Sequence, residues 1–329
     1  MPANLTPQYQ KAERDYRRAQ TTEERTECLQ RMLQLIPKHK GTEKLQADLK
    51  TKLKESRAAL QAEKLAPKAG KSHRIPRQGA GQVIILGAPN AGKSRLLAEL
   101  TNAEPNVAGF PYSTHETLPG MMPWEDVRVQ LIDTPPITAA HIEPYLVDMT
   151  RVADLALLCF DGSSDNAPEQ TADVVRQFAD RKTQLANETG FDANDFSIVH
   201  IKTLLVVTRG ADPDASTRVE FFNEIKPTPF ETVTVEFDNE ESREALRTRI
   251  FKALGVMRIY TKRPGKPVEL ADPFTIPQGG NVEDVAAQVH HDLVETLKFA
   301  KVWNENTPEG QTVSRDYVLC DKDVVELHA

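Results

Sequence analysis

Cysteine is scarce in this chain: Cys28, Cys159 and Cys320 lie far apart, with no C-x-x-C pair and no histidine cluster beside them. That spacing excludes a disulfide scaffold or a zinc knuckle, and all three are read as ordinary thiols. Long apolar runs are missing as well. No stretch approaches the roughly eighteen residues of a membrane helix, and the opening MPANLTPQYQKAERDYRR lacks the basic-then-apolar grading of a signal peptide. A cytoplasmic protein without a membrane partner is the expectation. No repeat of solenoid period is present.

What is there suffices for a core. Hydrophobic residues make up 39% and charged residues 27% of 329 positions, a balance that excludes wholesale disorder and predicts two or three folded units. The net charge of −7 argues against a general nucleic-acid binder and against DNA sequence specificity, but it is unevenly spread. Between Lys38 and Arg77 twelve Lys and Arg face four Asp and Glu, a surplus of +8 that leaves −15 for the rest. Such a basic segment is either a solvated face or a contact for RNA phosphates.

Periodicity then divides the chain. Thr21 with Glu24 forms a capping-box pattern, and Leu29, Leu33 and Ile36 recur at helical spacing until Pro37. Leu45, Leu49, Leu53 and Leu60 mark a second helix with lysines on its other face, so residues 1–65 read as a helical hairpin. Residues 66–82, rich in Pro, Gly and basic side chains, read as a linker. From residue 83 to 255 short apolar strands (Val83–Leu86, Val127–Ile132, Leu155–Phe160, Leu204–Val207) alternate with helical patterns, which predicts an α/β domain with a mainly parallel sheet. Residues 256–329 open with RIYTKRPG, continue through a helix expected from Val282 to Ala300, and suggest a compact α+β module.

The strongest chemical signal is Gly87-Ala-Pro-Asn-Ala-Gly-Lys93-Ser94, a G-x-x-x-x-G-K-S between a buried strand and a helix. Glycines let backbone N–H groups of Asn90, Ala91, Gly92, Lys93, Ser94 and Arg95 curl around phosphates, Lys93 reaches the outer ones, and Ser94 offers a hydroxyl to Mg²⁺. Thirty-nine residues past Ser94 a strand ends in Asp133, where a carboxylate would hold the metal shell. Between them the loop Phe110–Thr117 carries Thr114, a candidate second hydroxyl for the metal.

GAPNAGKS, FPYSTHETLPGMM, DTPP and a terminal module opening RIYTKRPG together resemble the Obg/DRG family of translation-associated GTPases, here a bacterial DRG-like member. The terminal module is similar to their TGS domain through DPF, VEDVA, AKVW and DVVEL. The resemblance implies a P-loop G domain, a ubiquitin-like TGS domain, GTP and GDP as ligands, Mg²⁺, and a ribosome, rRNA or translation-related protein as partner. It aligns Thr114 with the second threonine of the family's YPFTT-like loop.

Three departures stand against it. The family's D-x-x-G reads DTPP, and Pro136 has no N–H for a γ-phosphate. Asn-Lys-x-Asp is replaced by Thr208-Arg209-Gly210-Ala211-Asp212, leaving Asp212 as the candidate guanine reader. An extra domain inside the G domain is absent or reduced to the polar stretch around Lys182–Asn194. A short Ser-Ala turn is best located at Val233–Glu236. After DTPP stands Ile137 rather than a water-positioning glutamine, and resembling enzymes with an apolar residue there depend on K⁺ held partly by a P-loop Asn matching Asn90. The expectation is slow, Mg²⁺-dependent, K⁺-stimulated GTP hydrolysis with Asn90, Lys93 and Thr114 in catalytic roles. An Obg-like ATPase and a weakly hydrolysing scaffold are the rivals.

Overall fold

The computed structural model describes residues 5–19, 21–37, 40–65, 75–101, 117–192, 195–304 and 307–329. Helix α1 (Pro7–Arg18), which periodicity missed, is capped by Thr6 and carries proline in its first turn. The capping box closes as the sequence predicts: Thr21 Oγ1 accepts from the Glu24 N–H at 3.1 Å, and a Glu24 carboxylate oxygen accepts from the Thr21 N–H at 3.1 Å. It opens α2 (Thr22–Leu35), and α3 (Glu43–Leu65) follows. The expected hairpin is thus part of a three-helix unit around Tyr9, Ala12, Leu29, Met32, Ile36 and Leu49.

The central domain runs β1 (Gln82–Gly87), α4 (Lys93–Leu100), β2 (Leu118–Trp124), β3 (Val127–Asp133), α5 (Pro144–Val152), β4 (Leu155–Asp161), α6 (Ala167–Ala179), β5 (Thr183–Ala186), β6 (Gly190–Phe191), β7 (Val199–Thr208), α7 (Ala215–Ile225), β8 (Glu231–Val235) and α8 (Glu240–Leu254). The sheet order is β2-β3-β1-β4-β7, with β5, β6 and β8 all on β7. β1 pairs in parallel with β3 and β4, while β2 and β6 run antiparallel. The four apolar runs read from the sequence are β1, β3, β4 and β7, continuous in hydrophobicity because both faces are covered. Ile85, Leu131, Leu157 and Val206 face α4 and α8; Ile84, Leu86, Leu158 and Leu205 face α5, α6 and α7.

The stretch around Lys182–Asn194 contains β5 and β6 and supplies a docking surface for the N-terminal helices. Phe191 and Phe196 stack at 4.1 Å, and Tyr16 of α1 lies against both. Arg17 donates to the Ala153 and Arg151 carbonyls at the end of α5, while Arg18 and Arg77 share the Asp154 carboxylate. Arg77 lies in the region expected as a linker, whose residues 79–81 bond along β3. Residues 66–74 lie outside the described residues.

Glu13 of α1 accepts from the Phe191 N–H at this interface, and burial pushes its carboxyl up to about 7. A carboxyl raised on folding adds stability below its unfolded value near 4.5, and that stability is lost as pH rises through about 7. The thermal midpoint is therefore expected to fall between about pH 5 and pH 7.5. Glu13→Gln should flatten that slope in a melting series; an unaltered slope would assign it to another group.

The C-terminal domain comprises β9 (Val256–Thr261), β10 (Glu269–Pro277), α9 (Val282–Val289), α10 (His291–Thr296), β11 (Phe299–Asn304), β12 (Thr307–Val313) and β13 (Asp323–His328), with sheet order β10-β9-β13-β11-β12. The single helix expected over Val282–Ala300 is two. His290 adopts an extended backbone between them and caps α10, its Nδ1 accepting from the Asp292 N–H, and Phe299–Ala300 already belong to β11. The apolar positions there serve a strand, which helical spacing alone does not distinguish over so short a run.

Candidate functional site

The loop after β1 is shaped by backbone that only glycine tolerates well. Gly87 has φ +155° and Gly92 φ +91°, and a Cβ on either would lie 3.0 Å from Cys159 O or from the Thr208 side chain. The loop is thereby seated on the ends of β4 and β7. Asn90, exposed at its tip, is left-handed with φ 61°. α4 begins at Lys93 with Gly92 as its cap and no capping side chain, so its first-turn N–H groups are available to an anion.

Lys93 is buried, its Nζ donating to the Ala88 and Gly87 carbonyls at 2.9 and 3.2 Å. Burial draws its ammonium below the ordinary value. Ser94 Oγ donates to Asp133 Oδ2 at 2.6 Å. Asp133 Oδ1 is buried with no hydrogen-bond partner among the described residues, and burial lifts this carboxyl above its usual range. A desolvated carboxylate oxygen beside a serine hydroxyl is the donor chemistry that a hydrated divalent cation satisfies, so these residues fit Mg²⁺. Thr114 and the rest of residues 102–116 lie outside the described residues.

The segment after Asp133 is pinned. Thr134 Oγ1 donates to Ile85 O at 2.6 Å, and the Ile137 N–H donates to Gly87 O at 3.1 Å. Ile137 is fully buried among Ile84, Ala88 and Ile142, so its side chain is a core element and reaches no phosphate-facing water. Two prolines and these two anchors restrict the backbone that D-x-x-G leaves free.

Two residues that motif reading discounted bind the loop from the other side. Thr208 Oγ1 lies 3.1 Å from Ala91 O and 3.2 Å from Phe160 O, and Arg209 donates to Asn90 O at 3.2 Å while pairing with Asp161 at 2.7 Å. Thr208 closes β7 and Arg209 follows it, at the first two positions of the Asn-Lys-x-Asp pattern counted from the strand end. By that count Ala211 takes the fourth position and Asp212 the fifth. Asp212 accepts from Arg218 at 2.7 Å and from the Asp214 N–H at 3.0 Å, and these bonds hold its carboxyl below the usual range. The Arg95 side chain pairs with Asp238 at 2.8 Å, which ties α4 to the loop after β8, just beyond the Val233–Glu236 segment singled out above.

Among the described residues no group of three or more His, Cys, Asp and Glu could hold a metal ion, and no helix is long and apolar enough to cross a membrane. Of the residues singled out for the metal, Ser94 and Asp133 lie in hydrogen-bond contact, while Lys93 is bonded to the carbonyls of its own loop.

Residues 82–189 match the model of a 50S ribosome-binding GTPase, and residues 257–329 match the TGS domain. An uncharacterised GTP-binding protein of Halobacterium salinarum is 24% identical over 93% of this chain and 99% of its own length. Developmentally-regulated G-protein 1 of Arabidopsis thaliana is 24% identical over 88% of this chain and 87% of its own. In fold, the chain is similar to the YchF GTPase of Schizosaccharomyces pombe, with a TM-score of 0.54 and 11% identity over 77% of this chain and 99% of that one.

Proposed function

We propose that this chain, a GTP-binding protein of DRG/YchF-like type in which a G domain precedes a TGS domain, hydrolyses GTP slowly and so regulates a ribosome- or RNA-associated process. The observation that carries the reading is Asp133 with an unpartnered buried oxygen, bonded to Ser94 and neighboured by a desolvated lysine. A bound Mg²⁺ would give the Asp133 Oδ1 the partner it lacks, and a triphosphate would offer Lys93 anionic acceptors in place of neutral carbonyls. The α4 N-terminus and the 87–92 loop hold the phosphates. Lys93 leaves its two carbonyl acceptors for the outer phosphate oxygens, and Ser94 and Asp133 hold the metal. Mg²⁺ supplies neutralisation of charge on the β- and γ-phosphates. Thr114 is proposed as a further metal-side hydroxyl.

Slow turnover follows from the segment 134–137. Pro136 donates no N–H, Ile137 is spent on the core, and catalysis then rests on charge neutralisation. We assign K⁺ a share of it, with Asn90, exposed and left-handed at the loop tip, as a protein ligand. The initial rate should be higher in K⁺ than in Na⁺, and Asn90→Ala should erase the difference. Equal rates in both salts for the unaltered protein would remove potassium from the scheme.

The partner reading rests on the 50S ribosome-binding description of the matched family and on α3, where Lys50, Lys54 and Arg57 project from one exposed face. A second reading, with adenine nucleotides admitted, is favoured by the pairing of Asp212 with Arg218. Binding of fluorescent GDP, competed by GTP, ATP and XTP, tests both. Displacement by GTP alone supports Asp212 as a guanine reader, equal displacement by ATP supports the second reading, and absence of binding overturns the proposal.

A further inference from the structure

The seam between the N-terminal helices and the central domain holds a partly enclosed cavity of about 120 Å³. Cations reach it from four elements: Arg17 of α1, Arg25 of α2, Lys52 of α3 and Arg151 of α5. Among the described residues its only lining carboxylate is Asp148, exposed on α5. Tyr16 and Phe191 supply an aromatic wall.

Arg17 is already engaged, donating to the Arg151 and Ala153 carbonyls with Asp154 at 3.9 Å. Arg25, Lys52 and Arg151 form no ion pair with a carboxylate among the described residues; their contacts are with neutral groups. Arg25 Nε donates to Ala19 O at 3.3 Å, and Arg151 donates to Thr183 Oγ1 at 2.8 Å and to Arg181 O at 2.6 Å. Lys52 Nζ lies 5.3 Å from the centre of the Phe196 ring. Burial draws the Lys52 ammonium below its ordinary value, Glu55 and Asp195 oppose this from beyond ion-pair distance, and Arg151 adds like-charge repulsion. Burial raises the Tyr16 phenol while Arg25 and Arg151 pull the other way, which places its oxygen within the field of both.

Uncompensated donors converging from four elements describe a site for an anion. The volume selects which kind: it is well below the roughly 300–1,000 Å³ of pockets that take whole nucleotides or cofactors, and suits a single tetrahedral group. Guanidinium forks match phosphate oxygens in pairs. We propose that this cavity binds one phosphate group between Arg25, Lys52 and Arg151, and that the bound anion ties the three N-terminal helices to the central domain. The site lies outside the nucleotide loop and does not depend on the reading given for it.

The test uses the full chain saturated with GDP and Mg²⁺, so that the nucleotide loop is filled, at one fixed pH. Equilibrium dialysis with radiolabelled inorganic phosphate should find one saturable site per chain, weakened about 10-fold or more in Arg25→Gln/Lys52→Met. Arg25→Gln alone, at an exposed side chain, should show part of that loss, and Lys50→Glu/Lys54→Glu on the outer face of α3 none. In chloride the Arg25→Gln/Lys52→Met protein should melt no lower than the unaltered one, since it sheds repulsion across the seam. It should also lose the rise in melting midpoint that phosphate gives at matched ionic strength. Competition by glycerol 3-phosphate makes the ligand the head of a phosphomonoester, and failure to compete makes it the free ion. Absence of saturable binding, or its displacement by excess GTP, overturns the site. So does undiminished binding in Arg25→Gln/Lys52→Met with an equal melting rise, which is the general salting effect of phosphate. Equal loss in Lys50→Glu/Lys54→Glu moves the anion to the outer α3 surface and overturns it as well.

Discussion

Replacing Arg258 by alanine is expected to cost the protein about 1.5–3 kcal/mol of unfolding free energy, the range for charged hydrogen bonds lost where the carboxylates left behind keep part of their hydration. Arg258 is 3% exposed at the start of the TGS domain. Its guanidinium pairs with Glu125, with Asp126 at 2.9 Å and with Asp321 at 2.7 Å. It also lies 4.9 Å above Trp124 and 5.6 Å above Phe251, themselves stacked at 3.9 Å. Tyr260 donates to the second Asp126 oxygen. Burial alone would lower the Arg258 value, but bonds to three carboxylates raise it above the ordinary one. Without the cation, three acids face one another across a domain junction. Arg258→Lys should recover only part of the loss, because one ammonium cannot reproduce the planar fork or the stacking. Urea unfolding of the three proteins measures both; a loss below about 1 kcal/mol in the alanine variant would mean that the junction is held elsewhere.

The junction matters to the nucleotide site through its position. Glu125 and Asp126 form the turn between β2 and β3, and Glu125 is left-handed there with φ 45°. β2 follows the loop bearing Thr114, and β3 ends at Asp133. The TGS domain is therefore fastened to the hairpin whose second strand ends at Asp133.

Lys93→Ala should lower single-turnover GTP hydrolysis by about 10²–10³-fold, the usual effect of losing one donor aimed at developing charge. The variant should still fold. Lys93 is held away from water by the loop's own carbonyls, and burial already penalises its charge, so truncation removes a group whose solvation the fold opposes. Phosphate release in a single-turnover assay, alongside a melting curve, checks this; a full rate in a folded Lys93→Ala would take the chemistry away from this loop.

The P-loop, the strands flanking it and Asp133 were legible because each is a local statement. Glycine spacing, a buried apolar run and a carboxylate at a strand end need no knowledge of distant partners. Helix α1 was not legible, since its dipolar sequence KAERDYRR buries little, and its apolar residues find their partners on α2, α3 and the Phe191–Phe196 surface. The end of the Val282 helix was misjudged because Phe299 and Ala300 take their backbone partners from β13 and β12, distant in sequence.

By itself the sequence determined the order of units, the G-x-x-x-x-G-K-S loop between strand and helix, the carboxylate Asp133 at a strand end and the departures at Pro136 and Ile137, all carried by residue type and short spacing. Only the tertiary structure decided what the ambiguous side chains do. It commits Asp212 to Arg218, sets Thr208 and Arg209 against the loop, buries Ile137, and packs Trp303 against Gly310 and Lys262. It also makes Arg258 a junction between domains. Most of these depend on a partner tens to more than a hundred residues away, and even the Asp212–Arg218 pair, six residues apart, is fixed by packing, which local pattern does not encode.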